Sequence, residues 1–160
     1  MADTPPAPAG PARRPVNCGG VTHTDLCVVG AGSGGLSAAA GAVRMGASVV
    51  LVEKHRMGGG CLNTGCVPSK ALIAAAHAAQ AVRDGGRFGV NGHGPAIDFA
   101  RVHAHVHGVI GAIAPHDSAE RFEGMGVAVL RAAARFVSPD EVEADGRRIR
   151  ARRFVVATGS

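Results

Sequence analysis

Four short stretches are apolar without alternation, at 26–29, 49–52 (following Ser48), 127–130 and 154–157, with glycine or charged residues near their ends. Runs of this length that do not alternate predict strands buried on both faces of a parallel sheet. Between the first two runs, small residues over 36–45 predict a helix that Gly46 closes. An alanine-rich stretch over 68–83 predicts a longer helix, stopped by Asp84-Gly85-Gly86. A glycine-rich loop follows through Pro95, and Asp98 can cap a further helix that Pro115 breaks. The segment 117–123 reads as a polar turn or short helix. Beyond it the period changes. Arg135-Phe136-Val137, Glu141-Val142-Glu143 and 147–152 are separated by Ser138-Pro139-Asp140 and by Asp145-Gly146, and Asp-Gly between such segments signals a hairpin. Residues 1–23 carry repeated proline and no period, and read as a flexible tail ahead of one domain at 24–160.

The first strand runs directly into Gly30-Ala31-Gly32-Ser33-Gly34-Gly35, and the second ends at Glu53. Strand, glycine turn, helix, strand and terminal acid together form a dinucleotide-binding βαβ unit, a far more specific signal than the glycines alone. Gly30 permits the tight turn, Gly32 lets backbone approach a pyrophosphate, and Gly35 lets helix and strand pack closely. The free N–H groups of the helix N-terminus would receive the pyrophosphate, and Glu53 would accept hydrogen bonds from a ribose hydroxyl.

Composition narrows the class only a little. The chain has 160 residues, enough for one domain with a real core, with 46% hydrophobic residues and no Trp or Tyr. Lysine occurs only at Lys54 and Lys70. A net charge of +5 is modestly basic and is compatible with an anionic ligand, with nucleic acid or with nothing specific. The basic segment 147–153 would split its charges between two strand faces and has no interleaved aromatic residues, so it reads as a solvated strand rather than a nucleic-acid surface. Residues 1–15 contain no apolar run of a signal peptide, and no stretch reaches about 18 uninterrupted apolar residues. A soluble, cytoplasmic protein without membrane or nucleic-acid partners is expected. Cys18 and His23 make a poor metal site, and of His103, His105 and His107 only the first and last share a helical face, so no metal is expected.

Four cysteines at this length do not make a secreted disulfide scaffold, so at most one pair is expected to be functional. The notable stretch is Gly59-Gly60-Cys61-Leu62-Asn63-Thr64-Gly65-Cys66-Val67-Pro68-Ser69-Lys70. Residues five apart on a regular helix rise about 7.5 Å and point in different directions. Bridgeable Cα atoms are usually within about 7 Å, so a Cys61–Cys66 bridge requires irregular backbone, for which Gly65 supplies the freedom. A bridge there, at a helix N-terminus, would be easily reduced and its thiolate stabilised. Zinc would need two further ligands that the sequence does not offer. Two unrelated thiols remain the other reading.

The twelve-residue stretch resembles the redox-disulfide signature of the class I pyridine nucleotide-disulfide oxidoreductases, and its Pro-Ser-Lys ending is most similar to the dihydrolipoamide dehydrogenase and mercuric reductase branches. Residues 114–136, with Ala114-Pro115-His116-Asp117-Ser118 and Ala134-Arg135-Phe136, are similar to mercuric-reductase-like members. The resemblance spans about 25–160 and implies a Rossmann-like α/β FAD-binding domain with a parallel sheet, a helical crossover and a small antiparallel β-meander. It implies FAD held by Gly30, Gly32, Ser33, Gly34, Gly35, Glu53, Lys54, Gly60, Lys70, Ala134, Thr158, Gly159 and Ser160. It implies that Cys61 and Cys66 form the redox-active disulfide, Cys66 nearest the flavin in a charge-transfer contact and Cys61 exchanging with substrate. Electrons from NAD(P)H would pass through FAD to that pair and on to a small-molecule disulfide or metal-ion substrate. Gly60 stands where Thr or Asp is common, and Ala132 where Gly is usual. The family's NAD(P)H domain, interface domain and cross-dimer His-Glu pair have no counterpart in these residues. The resemblance therefore implies the N-terminal part of a longer, homodimeric enzyme, not competent alone; a non-catalytic flavin-binding or thiol-redox module is the alternative.

Overall fold

The computed structural model describes residues 13–90 and 92–159. In chain order the elements are β1 (Val16–Cys18), β2 (Val21–Val29), α1 (Ser33–Arg44), β3 (Val49–Val52), α2 (Gly59–Asn63), α3 (Cys66–Asp84), α4 (Phe99–Ile113), α5 (Ala119–Gly124), β4 (Ala128–Leu130), β5 (Ala134–Ser138), β6 (Glu141–Ala144) and β7 (Arg147–Val156). They form two compact units, residues 60–115 in one and the flanking residues in the other.

The flanking unit holds the sheet, in the order β4-β3-β2-β7-β6-β5, with β1 paired to the start of β2. Strands β4, β3, β2 and β7 run parallel, while β5, β6 and β7 form an antiparallel meander. This is the expected architecture. Strand β2 passes through α1 to β3 on one side and pairs with β7 on the other, so the strand order reverses there. Such a switch point opens a crevice at the carboxyl ends of parallel strands.

Strand β3 is buried throughout, and Cys27 and Val28 of β2 with it, because each face of the sheet is covered there. The runs at 127–130 and 154–157, expected to be buried, are only partly so, with Val156 63% exposed. Val28, Val49 and Leu51 pack with Leu36, Ala39 and Val43 of α1 and with Phe122 of α5. Cys27, Val50 and Val52 face the other way, among Val142, Ala144, Ile149 and Ala151 of the meander. Alternation along each strand assigns its side chains to opposite faces, and full burial of each Val or Leu contributes about 1.5–3 kcal/mol. Burial pushes the Cys27 thiol up to about 12, leaving it an inert core residue.

The hairpin read from Asp145-Gly146 joins β6 to β7, with φ of 51° and 69° at its two central residues. Those signs define the tight turn whose twist matches the strands. A second hairpin corrects the reading of 1–23 as a tail. Residues 1–12 lie outside the described residues, but Val16–Cys18 pairs with residues 21–23 across Gly19 and Gly20, both at positive φ. Gly-Gly carries the same turn signal as Asp-Gly, although β1 is too short to show a period.

The arginines of the basic strand are exposed, as expected, and three of them also meet carboxylates. Arg148 and Arg150 both reach the buried Glu141, at 3.1 and 3.2 Å, and Arg152 reaches Asp25 at 3.3 Å. The positive charges of β7 are therefore partly neutralised within the sheet.

The 60–115 unit is helical. Asp98 Oδ1 accepts from the Arg101 N–H and caps α4, and Ser118 caps α5 in the same way in the flanking unit. Helix α3 begins at Cys66, two residues before the expected start, because Pro68 falls in the first turn, where no N–H is required. Among the described residues no helix is long and apolar enough to cross a membrane.

Candidate functional site

Two helix N-termini carry many of the expected site residues. The first is the turn from β2 into α1. Gly30 has a φ of 105°, and a Cβ there would lie 2.2 Å from the Ala157 carbonyl oxygen. The turn is tight because β7 continues beside it, the Ala157 N–H donating to the Val29 carbonyl at 2.8 Å. The same packing puts Thr158 next to Gly30, with its Cα 3.1 Å from that Cβ position. Gly35 is needed for helix–strand closeness, since a Cβ would come within 1.8 Å of the Gly30 carbonyl oxygen.

Gly32 and Gly34 differ. A Cβ on Gly32 would meet only Gly59 Cα at 3.9 Å, and one on Gly34 would meet nothing within 4 Å. No side chain caps α1, and its first turn holds no acidic residue. Open space in front of an uncapped helix N-terminus fits a diphosphate, whose charge the N–H groups and helix dipole would receive.

Glu53 is buried, and both its oxygens are already used inside the protein. Oε2 accepts from the Ala31 N–H at 2.6 Å and Oε1 from the His55 N–H at 2.7 Å. The carboxylate thus braces the glycine turn. Each oxygen keeps a second lone pair with which a ribose hydroxyl could bond.

Three contributors escaped the sequence reading. Gly58 donates to the Ala31 carbonyl at 2.9 Å and forms an isolated parallel bridge with Gly32. Gly59 has a φ of 59°, and a Cβ there would lie 2.6 Å from Gly32 Cα. Arg131 Nη2 donates to the His55 carbonyl at 2.6 Å, holding the loop after β3. The run Gly58-Gly59-Gly60 was the available signal; nothing in sequence marked Arg131.

The second N-terminus carries the cysteines. A single helical turn, α2, begins at Gly59. It ends at Asn63 because the Thr64 and Gly65 N–H groups both turn back to the Gly60 carbonyl, at 2.9 and 2.7 Å. Gly65, with φ −118° and ψ −106°, breaks the helix, and Cys66 opens α3. The required irregular backbone lies at the glycine that was expected to allow it. No bond joins the two sulfurs in this structure.

The Cys61 thiol is held above its ordinary value, first by its side-chain hydrogen bond with Cys66, then by desolvation and the charge of Cys66. A bond from the Cys66 backbone N–H and the Lys70 ammonium oppose that shift without reversing it. The two sulfurs are therefore direct neighbours, and Lys70 acts on Cys61 electrostatically.

Of the remaining expected cofactor contacts, Lys54 is exposed just after Glu53, Gly60 is exposed in α2, and Ala134 opens β5 opposite Ala144. Gly159 follows Thr158 at a φ of 80°, and Ser160 lies outside the described residues. His103 and His107 share one face of α4, as expected, with ring centroids 4.3 Å apart.

Comparison with known proteins places this geometry. The chain is 38% identical over 136 residues to a dihydrolipoyl dehydrogenase of Thermus scotoductus, covering 85% of this chain and 29% of that protein. It is 34% identical over 145 residues to a mercuric reductase of Streptomyces lividans, covering 87% of this chain and 31% of that protein. The chain thus spans about three-tenths of the length of these curated relatives. Its fold matches an HOCl-induced flavoprotein disulfide reductase of Escherichia coli, solved as a Cu(II) complex, with a TM-score of 0.68 at 21% identity. That match covers 84% of this chain and 28% of the solved one. The family profile "Pyridine nucleotide-disulphide oxidoreductase" matches residues 24–160, and the chain belongs to that family.

Proposed function

We propose that this chain is the FAD-binding, dithiol-bearing part of an oxidoreductase that passes electrons from NAD(P)H through FAD to Cys61 and Cys66, and from them to a disulfide or metal-ion substrate. The observation that carries the reading is the adjacency of the two thiols at the break between α2 and α3. FAD, when bound, supplies the two-electron chemistry that links NAD(P)H to a dithiol.

The chain's own residues have separate tasks. The N–H groups opening α1, around Gly32, Ser33 and Gly34, hold the diphosphate, with Gly30 and Gly35 shaping the turn. Glu53 braces it and takes a ribose hydroxyl. Lys54, Gly60, Lys70, Ala134, Thr158, Gly159 and Ser160 are the further proposed contacts.

Oxidation of the pair joins the two sulfurs in one bond and releases two protons and two electrons; reduction reverses this. Cys66, as the first residue of α3, lies where a helix dipole favours negative charge. It is proposed as the flavin-side thiol. Cys61 is proposed to meet the substrate. Because its hydrogen bond with Cys66 holds it protonated, a base must remove that proton before it can attack. The complete enzyme is proposed to be a cytoplasmic homodimer.

Mild oxidation of the purified chain, followed by peptide mapping without reduction, tests the pairing. A Cys61–Cys66 linkage is expected. Linkage through Cys18, or two unlinked thiols after exhaustive oxidation, would sink the assignment. FAD titration of the same sample should give a bound yellow species that Gly32→Asp abolishes.

The second reading is a non-catalytic flavin-binding or thiol-redox module. It expects no NAD(P)H consumption by these 160 residues with disulfide or Hg²⁺. Turnover would exclude it.

A further inference from the structure

Helix α4 carries a second constellation that the redox reading does not use. His103 and His107 sit one turn apart on an exposed face, with their Nε2 atoms 3.0 Å from each other. Residues four apart on a helix are neighbours whose side chains can meet. Here both rings turn the same nitrogen inward. The rings are tilted by 57° rather than stacked face to face.

This separation has a chemical meaning. Two imidazole nitrogens bound to one ion at about 2.0–2.1 Å stand about 2.9 Å apart at a right angle and about 3.4 Å apart at the tetrahedral angle. The observed spacing lies between those limits. We infer that His103 and His107 form a two-histidine chelate for a divalent transition cation that prefers imidazole, namely Cu²⁺, Ni²⁺ or Zn²⁺.

The helix preorganises the site, so binding costs little beyond fixing two rings. In the free pair one ring donates its Nε2 proton to the other. On metal binding that ring carries its proton on Nδ1 instead, both Nε2 lone pairs meet the cation, and the neutral pair releases no net proton. Among the described residues no group of three or more ligands is assembled, so water completes the shell. The site is therefore open and exchangeable, not the closed four-ligand type that structural zinc uses. His105, between the two, points away and takes no part.

The test uses the full 160-residue chain with Cys18→Ser, Cys61→Ser and Cys66→Ser, so that exposed thiols do not compete for metal. Calorimetric titration with Ni²⁺ alone should give a micromolar site. His103→Gln and His107→Gln should each weaken it on the order of tenfold or more, while His105→Gln leaves it unchanged and far-UV circular dichroism shows the same helix content. Should a variant unfold, Cu²⁺ added to the parent chain decides: its paramagnetism should broaden the ring protons of His103 and His107 before those of the other histidines. Equal Ni²⁺ affinity in both Gln variants, or Cu²⁺ broadening that begins at other histidines, would overturn the assignment.

Discussion

The two glycine-marked helix starts are built to opposite specifications. At α1, Gly30 and Gly35 are fixed by neighbouring backbone, with no room for even a methyl group. Cys27 and Val28 of the strand that enters this turn are fully buried, in the cores on its two faces. At α3, the corresponding break is made by Gly65, where a Cβ would approach the Gly60 oxygen only to 3.1 Å, and Cys66 is exposed. The first turn excludes any side chain outright; the second is crowded less severely, and two sulfurs share it. A fixed anion needs preorganised donors, whereas a pair that cycles between dithiol and disulfide must tolerate a change in sulfur separation.

Breaking the first turn should give the largest effect. Gly35→Ala would drive a methyl to within 1.8 Å of the Gly30 carbonyl oxygen, and neither the helix nor the strand can retreat without opening the core. Loss of about 3 kcal/mol or more is expected, read as a lower urea midpoint. Gly34→Ala, with nothing within 4 Å, should keep the fold and gain up to about 1 kcal/mol from helix propensity. Equal destabilisation by both would mean the turn is not crowded in the way described.

A middle-sized effect is expected at Glu53. Gln has one accepting oxygen for the two N–H donors of Ala31 and His55, and its NH₂ would face the other donor. Glu53→Gln should cost about 1–3 kcal/mol and loosen the glycine turn, seen as faster amide exchange at Ala31. An unchanged exchange rate would transfer the bracing role to Gly58 and Arg131.

These residues also mark what sequence could and could not disclose. The parallel strands, α1 and the meander were legible because continuous apolar runs and Asp-Gly turns are local signals. Gly30 and Gly35 were legible because the fingerprint couples spacing to a strand and a helix. The inward role of Glu53 was not, since its partners at Ala31 and His55 are chosen by the loop geometry of Gly58 and Gly59. Arg131 was silent for the same reason: its acceptor is 76 positions away. Likewise, the pairing of Arg148 and Arg150 with Glu141 follows from strand register, which the composition of 147–153 does not encode.

The smallest perturbation sharpens the other side of the comparison. In the dithiol form, Cys61 should be alkylated half-maximally above pH 9.0, its ordinary value, because the leading influence is its side-chain bond with Cys66. Cys66→Ala removes that influence and should move the profile down, whereas Lys70→Ala removes an opposing cation and should move it further up. Mass spectrometry of iodoacetamide-treated protein across pH reads both shifts, with fold stability unaffected. Cys27, raised to about 12 by burial, is the internal control and should react only on unfolding. Its neutral form contributes stability fully below pH 9.0, and that contribution is lost as pH rises towards 12. If Cys66→Ala instead raised the Cys61 profile, the Cys66 backbone contact would depend on the side chain as well. The cysteine break would then be as tightly preorganised as the glycine turn.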